Sequence, residues 1–254
     1  MKRFAIGDIH GNHKALVQCL ERSGFNKEED LLIQLGDICD GWPEVYECVE
    51  ELLSVKNLIA IIGNHDRWFA EWMTLGMHPA HWLQGGLGTL QSYCKNTNSI
   101  YQGSGHSGYT TNLNTAVIPQ SHKDFFIKTQ KPYYIDHLNN LFIHGGYDRT
   151  DYISNQLAMG SENFWWDRNL WMQARSCAPG VKLKTEDNFR KIFIGHTATE
   201  RDYPDCKPVQ KGEVWNLDNG AGWSGKLTIM NIDTEEYFQS DKVDTLYPNH
   251  HGRN

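Results

Sequence analysis

Phe4-Ala5-Ile6-Gly7-Asp8-Ile9-His10-Gly11-Asn12 is the stretch on which the fold turns. A short apolar run ends in a carboxylate and an imidazole two residues apart, with glycines on both sides. Alternate residues of an extended chain share a face, and glycine lets a ligand come close to the backbone. Such a pair suits a hard-to-borderline metal ion. One Asp-x-His pair proves little, because short pairs of this kind arise by chance. The rest of the chain repeats the device four more times.

Downstream of Asn12, apolar residues at Ala15, Leu16, Cys19 and Leu20 alternate with charges and stop at Gly24, a short amphipathic helix. Leu31 to Leu35 is a near-continuous apolar run, a buried strand, and it ends in Gly36-Asp37-Ile38-Cys39-Asp40-Gly41. Val45, Cys48, Val49, Leu52 and Leu53 then fall at helical spacing behind Pro43. Leu58 to Ile62 is the next strand and ends in Gly63-Asn64-His65-Asp66. The first 66 residues therefore read as strand, helix, strand, helix, strand. That order implies parallel pairing, with a site beyond the carboxyl ends of the strands.

From Arg67 to about Gln130 the pattern weakens. Trp68, Phe69 and Trp72 mark an aromatic helix, and glycines crowd the stretch from Gly85 to Gly108. This reads as a helical and loop insertion that packs on the core and shapes a cleft. Tyr133 to Ile135 and Leu141 to Ile143 flank Asn139-Asn140 as a hairpin, and the second strand runs into His144-Gly145-Gly146. The segment 147–186 is a cap-like stretch centred on Phe164-Trp165-Trp166-Asp167-Arg168. Phe189 to Ile194 leads into Gly195-His196-Thr197. Val214 to Leu217 and Lys226 to Met230 are further strands, joined by Asp218-Asn219-Gly220-Ala221-Gly222. The tail beyond about Asp241, with His250-His251, is expected to be loosely ordered.

The 254 residues are read as one domain, 22% charged and 39% hydrophobic, a soluble globular composition. No run approaches the roughly 18 apolar residues that span a bilayer. Without a signal-like apolar segment the expected location is the cytoplasm. A net charge of −7 argues against a nucleic-acid-binding surface. The six cysteines include no C-x-x-C pair and are expected to be buried free thiols.

Six strand-end residues stand out: Asp8, His10, Asp37, Asn64, His144 and His196. Imidazole, carboxylate and one amide oxygen form a mixed donor set. It suits Mn²⁺, Fe or Zn²⁺ better than Ca²⁺ or a thiolate-bound structural Zn²⁺. Six donors are too many for one ion with an open position. They fit two ions sharing a carboxylate, and Asp37 is the natural bridge. Two ions about 3.5–4 Å apart can hold a hydroxide and a phosphoryl group for in-line attack.

Gly-Asp-Ile-His-Gly, Gly-Asp-Ile-Cys-Asp, Gly-Asn-His-Asp, His-Gly-Gly and Gly-His-Thr, in this order, resemble the calcineurin-like metallophosphoesterases. Within them the chain is most similar to the phosphoprotein phosphatase branch in its compact bacterial and bacteriophage form. The resemblance implies a four-layer αββα sandwich, two mixed β-sheets packed face to face with helices outside. It implies that Asp8, His10 and Asp37 hold one metal, and Asp37, Asn64, His144 and His196 the other. It also implies that His65, oriented by Asp40, is the general acid, a role a histidine can fill near neutral pH.

The chain departs from the family pattern after Asp40. An arginine that grips phosphate is usual there, and this chain has Gly41-Trp42. Trp42 is then expected at the rim, where it would stack on a base or an aromatic leaving group. Arg168 resembles the second phosphate-gripping arginine of the phage-type enzymes, and Arg67 is a candidate for the missing one. Both are weighed against ordinary surface pairing. His13, His78, His81, His106, His122 and His137 are expected away from the metals.

The implied function is a metal-dependent phosphatase acting on a phosphorylated protein, chiefly at serine or threonine, or on a small phosphoester. The alternatives are a diadenosine polyphosphate hydrolase or a nucleotide or nucleic-acid phosphoesterase, and a catalytically silent metal-binding module.

Overall fold

The computed structural model describes residues 1–76, 80–104, 108–160, 162–178 and 180–253. Its strands are β1 (Arg3–Ile6), β2 (Leu31–Gln34), β3 (Asn57–Ala60), β4 (Tyr101–Ser104), β5 (Gly108–Thr111), β6 (Tyr133–Ile135), β7 (Asn140–Ile143), β8 (Lys191–Ile194), β9 (Val209–Lys211), β10 (Val214–Asn216), β11 (Thr228–Asn231) and β12 (Tyr237–Gln239). Its helices are α1 (His13–Ser23), α2 (Val45–Leu53), α3 (Asn64–Leu75), α4 (Gly86–Thr97), α5 (Gln120–Asp124), α6 (Ile153–Met159), α7 (Asn163–Trp166), α8 (Asn169–Ser176) and α9 (Val243–Leu246).

The apolar runs near the start become β1, β2 and β3, paired in parallel as their helical crossovers require. β11 and β12 extend this sheet antiparallel on the other side of β1, giving the order β12-β11-β1-β2-β3. The second sheet has the order β6-β7-β8-β10-β9, with β7, β8 and β10 parallel. β4 and β5 form a separate hairpin.

Side-chain alternation then builds the layers. Phe4, Ile6, Leu32 and Ile229 face α1 and α2, whereas Ala5, Ile33 and Met230 on the same strands face the other sheet. In the second sheet Phe142 and Phe193 point inward, and Leu141, Ile143, Ile192 and Ile194 point toward α6, α7 and α8. Phe142 and Phe193 stack with ring centroids 4.9 Å apart and planes 5° from parallel. Each such fully buried side chain contributes about 1.5–3 kcal/mol. Helices, sheet, sheet, helices is the four-layer sandwich.

Helix ends are punctuated where the residue types require. Asn12 Oδ1 accepts a hydrogen bond from Ala15 N at 3.3 Å to start α1, and Gly24 ends it in the left-handed region at φ 61°. The glycines of α4 serve close approach: a Cβ at Gly88 would stand 2.3 Å from the Gly41 carbonyl oxygen.

One expectation needs correction. The tail is not loose: it forms α9, and Val243 and Tyr247 are buried against the first core, because their apolar area repays the ordering. β9 and β12, three residues each, carry too short a pattern to be seen in the sequence. All six cysteines are free thiols, and five of them are buried.

Candidate metal centre

The five motifs lie just past the carboxyl ends of β1, β2, β3, β7 and β8. Asp8, His10, Asp37, Asn64, His144 and His196 are all buried there. Two groups have donor atoms within 4.8 Å of one another: Asp8, His10 and Asp37, and Asp37, His144 and His196. Asp37 belongs to both. Its Oδ2 lies 3.7 Å from His10 Nε2 and 3.3 Å from His144 Nε2. Asn64 joins the second group, with its Oδ1 3.2 Å from His144 Nε2.

The backbone fixes which atom of each donor faces the centre. His10 Nδ1 bonds the Cys39 carbonyl at 2.9 Å, and His144 Nδ1 bonds the Leu35 carbonyl at 2.8 Å. That leaves Nε2 of both rings for a ligand. Asp37 Oδ1 accepts from His65 N at 3.0 Å, and Asp8 Oδ2 accepts from His196 N at 3.0 Å. Each carboxylate is thus pinned by one oxygen. Asp8 Oδ1 and His196 Nε2 are buried without a hydrogen-bond partner. An orphaned buried oxygen and nitrogen are costly unless something binds them. With a nitrogen and oxygen donor set free of thiolate, the residues fit divalent cations.

Local conformation is forced to this end. His10, Asp37, Asp40 and His196 all have positive φ, at 51°, 56°, 68° and 66°. Each such non-glycine residue costs of order 1–3 kcal/mol. Gly63 makes room for the bridging carboxylate, since a Cβ there would stand 2.1 Å from Asp37 Oδ1. Asp66 then ties two loops together. Its Oδ1 accepts from Ile38 N and Cys39 N at 2.8 and 3.1 Å, and its Oδ2 from Gly63 N and Gln130 Nε2 at 3.2 and 2.8 Å.

The electrostatics suit a ligand set. Burial holds the His10 imidazole down at about 4 and the His196 imidazole well below its usual range, so both are neutral donors. Burial works to raise the Asp37 carboxyl, but the surrounding His144, His65 and His10 rings hold it well below the usual carboxylate range.

Beside this centre, His65 Nδ1 and Asp40 Oδ2 are 2.7 Å apart. Asp40 Oδ1 accepts from Trp82 Nε1 at 2.8 Å and from Thr89 Oγ1 at 2.6 Å. Burial pushes the Asp40 carboxyl well up and the His65 imidazole well down. The His65 ring packs edge-on to His10 at 5.0 Å and to Trp68 at 4.6 Å.

Arg168 reaches the edge of the centre, where its Nη1 donates to the His196 carbonyl at 3.2 Å and to Thr197 Oγ1 at 3.0 Å. Arg67 does not. It is drawn along its own helix to Glu71, with Nε 3.2 Å from Oε1 and half the side chain exposed, and it lines a groove with Ala70, Thr74 and Phe126. Trp42 is not at the rim either. It is 1% exposed, and its Nε1 donates to the Ala221 carbonyl at 2.7 Å, because its large apolar area is worth more in the core.

His13 faces Glu51, and His122 bridges Tyr93 and Glu50. His78, His106 and the side chain of His81 lie outside the described residues. The sequence reading missed Trp82 and Thr89, which hold Asp40. They sit 42 and 49 residues downstream of it, with no motif to flag them.

Among the described residues, no helix is long and apolar enough to cross a membrane. A curated relative, serine/threonine-protein phosphatase 1 of Salmonella typhimurium, is 23% identical over 233 residues, 90% of this chain and 91% of that one. The symmetrical bis(5'-nucleosyl)-tetraphosphatase of Nitrosococcus oceani is 23% identical over 269 residues, 93% of this chain and 95% of that one. Among solved structures, a cold-active protein-tyrosine phosphatase of a Shewanella psychrophile superposes with a TM-score of 0.57 at 14% identity, covering 94% of this chain and 80% of that one. The family model described as calcineurin-like phosphoesterase matches residues 1–209, so the chain belongs to the calcineurin-like phosphoesterases and is a phosphoester hydrolase.

Proposed function

We propose that the chain is a dinuclear metal-dependent phosphomonoesterase whose leading substrates are phosphoserine and phosphothreonine in proteins. The observation that carries this reading is the pair of donor groups sharing Asp37, with the Asp40-braced His65 beside them. Asp8, His10 and Asp37 would hold one ion, and Asp37, Asn64, His144 and His196 the other. Mn²⁺ heads the candidates, and Fe and Zn²⁺ share the same donors. Bound there, the ions would supply Lewis acidity and a water acidic enough to attack near neutral pH.

The chain's own residues do the rest. Asp40 holds His65 through Nδ1, so the other ring nitrogen is the one that passes a proton to the leaving oxygen. Trp82 and Thr89 fix Asp40 and exclude water from behind it. Arg168, already oriented by the His196 carbonyl, offers its remaining N–H groups to phosphoryl oxygens.

Hydrolysis of a dinucleoside polyphosphate is the second reading. The tetraphosphatase relative supports it, and so does Trp166. That ring is 43% exposed and stands edge-on to His196 at 6.0 Å and 5.5 Å from Trp68, a wall on which a base can lie.

A panel of phosphoserine peptide, diadenosine tetraphosphate and a bis-aryl phosphodiester at equal Mn²⁺ separates the readings. The phosphopeptide is expected to turn over fastest, and a rate orders of magnitude below diadenosine tetraphosphate would hand the assignment to the second. Asp37→Asn tests the shared carboxylate. It is expected to lose metal and activity together, and two ions per chain in the variant would defeat the bridging role.

A further inference from the structure

The chain returns at its tail to the place where the second motif lacks an arginine. Tyr247 stacks on Trp42, with ring centroids 5.0 Å apart at 30°. Its hydroxyl bonds Glu44 and accepts from Lys14 N at 3.1 Å. Gly252 lies against the same indole, where a Cβ would stand 3.1 Å from Trp42 Cζ2. Arg253 N donates to the Gly222 carbonyl at 3.0 Å. Trp42 is therefore the anchor on which the tail docks.

These contacts feed the Arg253 side chain into a channel between glycines of three separate segments. A Cβ at Gly41 would come within 3.2 Å of Arg253 Cγ, one at Gly85 within 3.3 Å, and one at Gly222 within 2.8 Å of Cδ. The His10 ring shares the channel, since the Cβ at Gly222 would also stand 2.5 Å from His10 Cδ2. The guanidinium carbon lies 4.9 Å from the centre of the Trp223 ring. Arg253 Nε is buried without a hydrogen-bond partner, and among the described residues no carboxylate pairs with the guanidinium.

A buried guanidinium that no carboxylate pairs with directly keeps its N–H groups free for an anion. Two nearby carboxylates are engaged by other groups. Asp40 accepts from His65, Trp82 and Thr89, and Asp218 accepts from Gly220 N. Divalent ions on Asp8, His10 and Asp37 would add like-charge repulsion, which an anion lying between them and the guanidinium relieves. A guanidinium fork matches two oxygens of a phosphoryl group.

We propose that Arg253 is a substrate-binding residue that reaches past Gly41 to grip the phosphoryl group, so that the tail supplies the guanidinium missing from the second motif. The proposal rests on the phosphoesterase reading above.

The test is calorimetric titration of the Mn²⁺-loaded chain with inorganic phosphate, for the parent, Arg253→Ala and Arg253→Lys. Arg253→Ala is expected to weaken phosphate binding roughly 10- to 100-fold at unchanged metal content and melting temperature, with Arg253→Lys between. The KM for p-nitrophenyl phosphate should rise in parallel. Binding in Arg253→Ala within about twofold of the parent overturns the proposal, as does a parent chain that binds no phosphate. A parent that binds phosphate yet hydrolyses no aryl phosphate sinks the phosphoesterase reading instead, and leaves the titration to judge Arg253.

Discussion

The segments 64–130 and 147–186 both interrupt the sandwich, and both are rich in aromatic residues, yet they spend them in opposite ways. In the first, Trp68, Phe69, Trp72, Trp82, Tyr93 and Phe126 are buried in the same core as α1 and α2. Phe69 sits at the hub, 5.7 Å from Trp72, 4.9 Å from Tyr93 and 5.2 Å from Phe126. From this packed segment Trp82 Nε1 and Thr89 Oγ1 both donate to Asp40. In the second, Phe164, Trp165, Leu170 and Trp171 are buried with the second sheet, while Trp166, Met159 and Met172 are left exposed. Aromatic content alone does not tell a brace from a wall. What separates them is whether the ring's polar atom or its open face is turned to the site.

If the first segment serves the proton donor, His65→Asn should show the largest effect. Turnover of a phosphoserine peptide is expected to fall roughly 10²- to 10⁴-fold with metal content intact. The fall should be smaller for p-nitrophenyl phosphate, whose leaving group needs little help from an acid. An equal fall on both substrates would strip His65, and the brace behind it, of that role.

Trp82→Phe comes next. It keeps most of the packing and removes one buried donor to Asp40, at a cost of about 1–3 kcal/mol. For a chain of this size each kcal/mol lowers the melting temperature by roughly 2–4 °C. Phosphopeptide turnover should drop with it. An unchanged melting curve and an unchanged kcat would erase the contrast between the segments.

Trp166→Ala should be the mildest. An exposed ring contributes little to folding, so stability should stay within about 0.5 kcal/mol. An aromatic contact is worth about 0.5–1.5 kcal/mol, so KM for diadenosine tetraphosphate should rise roughly two- to tenfold with phosphopeptide KM unmoved. A marked loss of stability would show that this ring, too, is structural.

The parts of this architecture visible in the sequence are those written locally. Each of Asp8, Asp37, Asn64, His144 and His196 stands beside a glycine just past an apolar run, so strand, strand end and donor were legible together. What pairs with what across the fold was not. Asp40 draws on Trp82 and Thr89 from a segment without periodicity, and Asp66 joins loops whose approach depends on the sheet order. Trp42 shows how a local reading misleads. A tryptophan after a departure from the motif pattern invites a rim position, but its partner Tyr247 lies 205 residues on, where no short-range pattern announces it. Positive φ at four non-glycine residues of the centre is equally silent in the sequence, since it follows from the contacts that impose it.

The donor atoms come from both sheets: Asp8, His10, Asp37 and Asn64 from loops of the first, His144 and His196 from loops of the second. Ions seated among them would therefore rivet the two halves of the sandwich across their seam. Binding of this kind is linked to folding, and each ion present at a hundredfold excess over its dissociation constant adds about 2.7 kcal/mol to the folded state. The same six residues would then make heat resistance a function of free divalent-ion concentration, with the candidate metal centre doubling as the clasp of the fold.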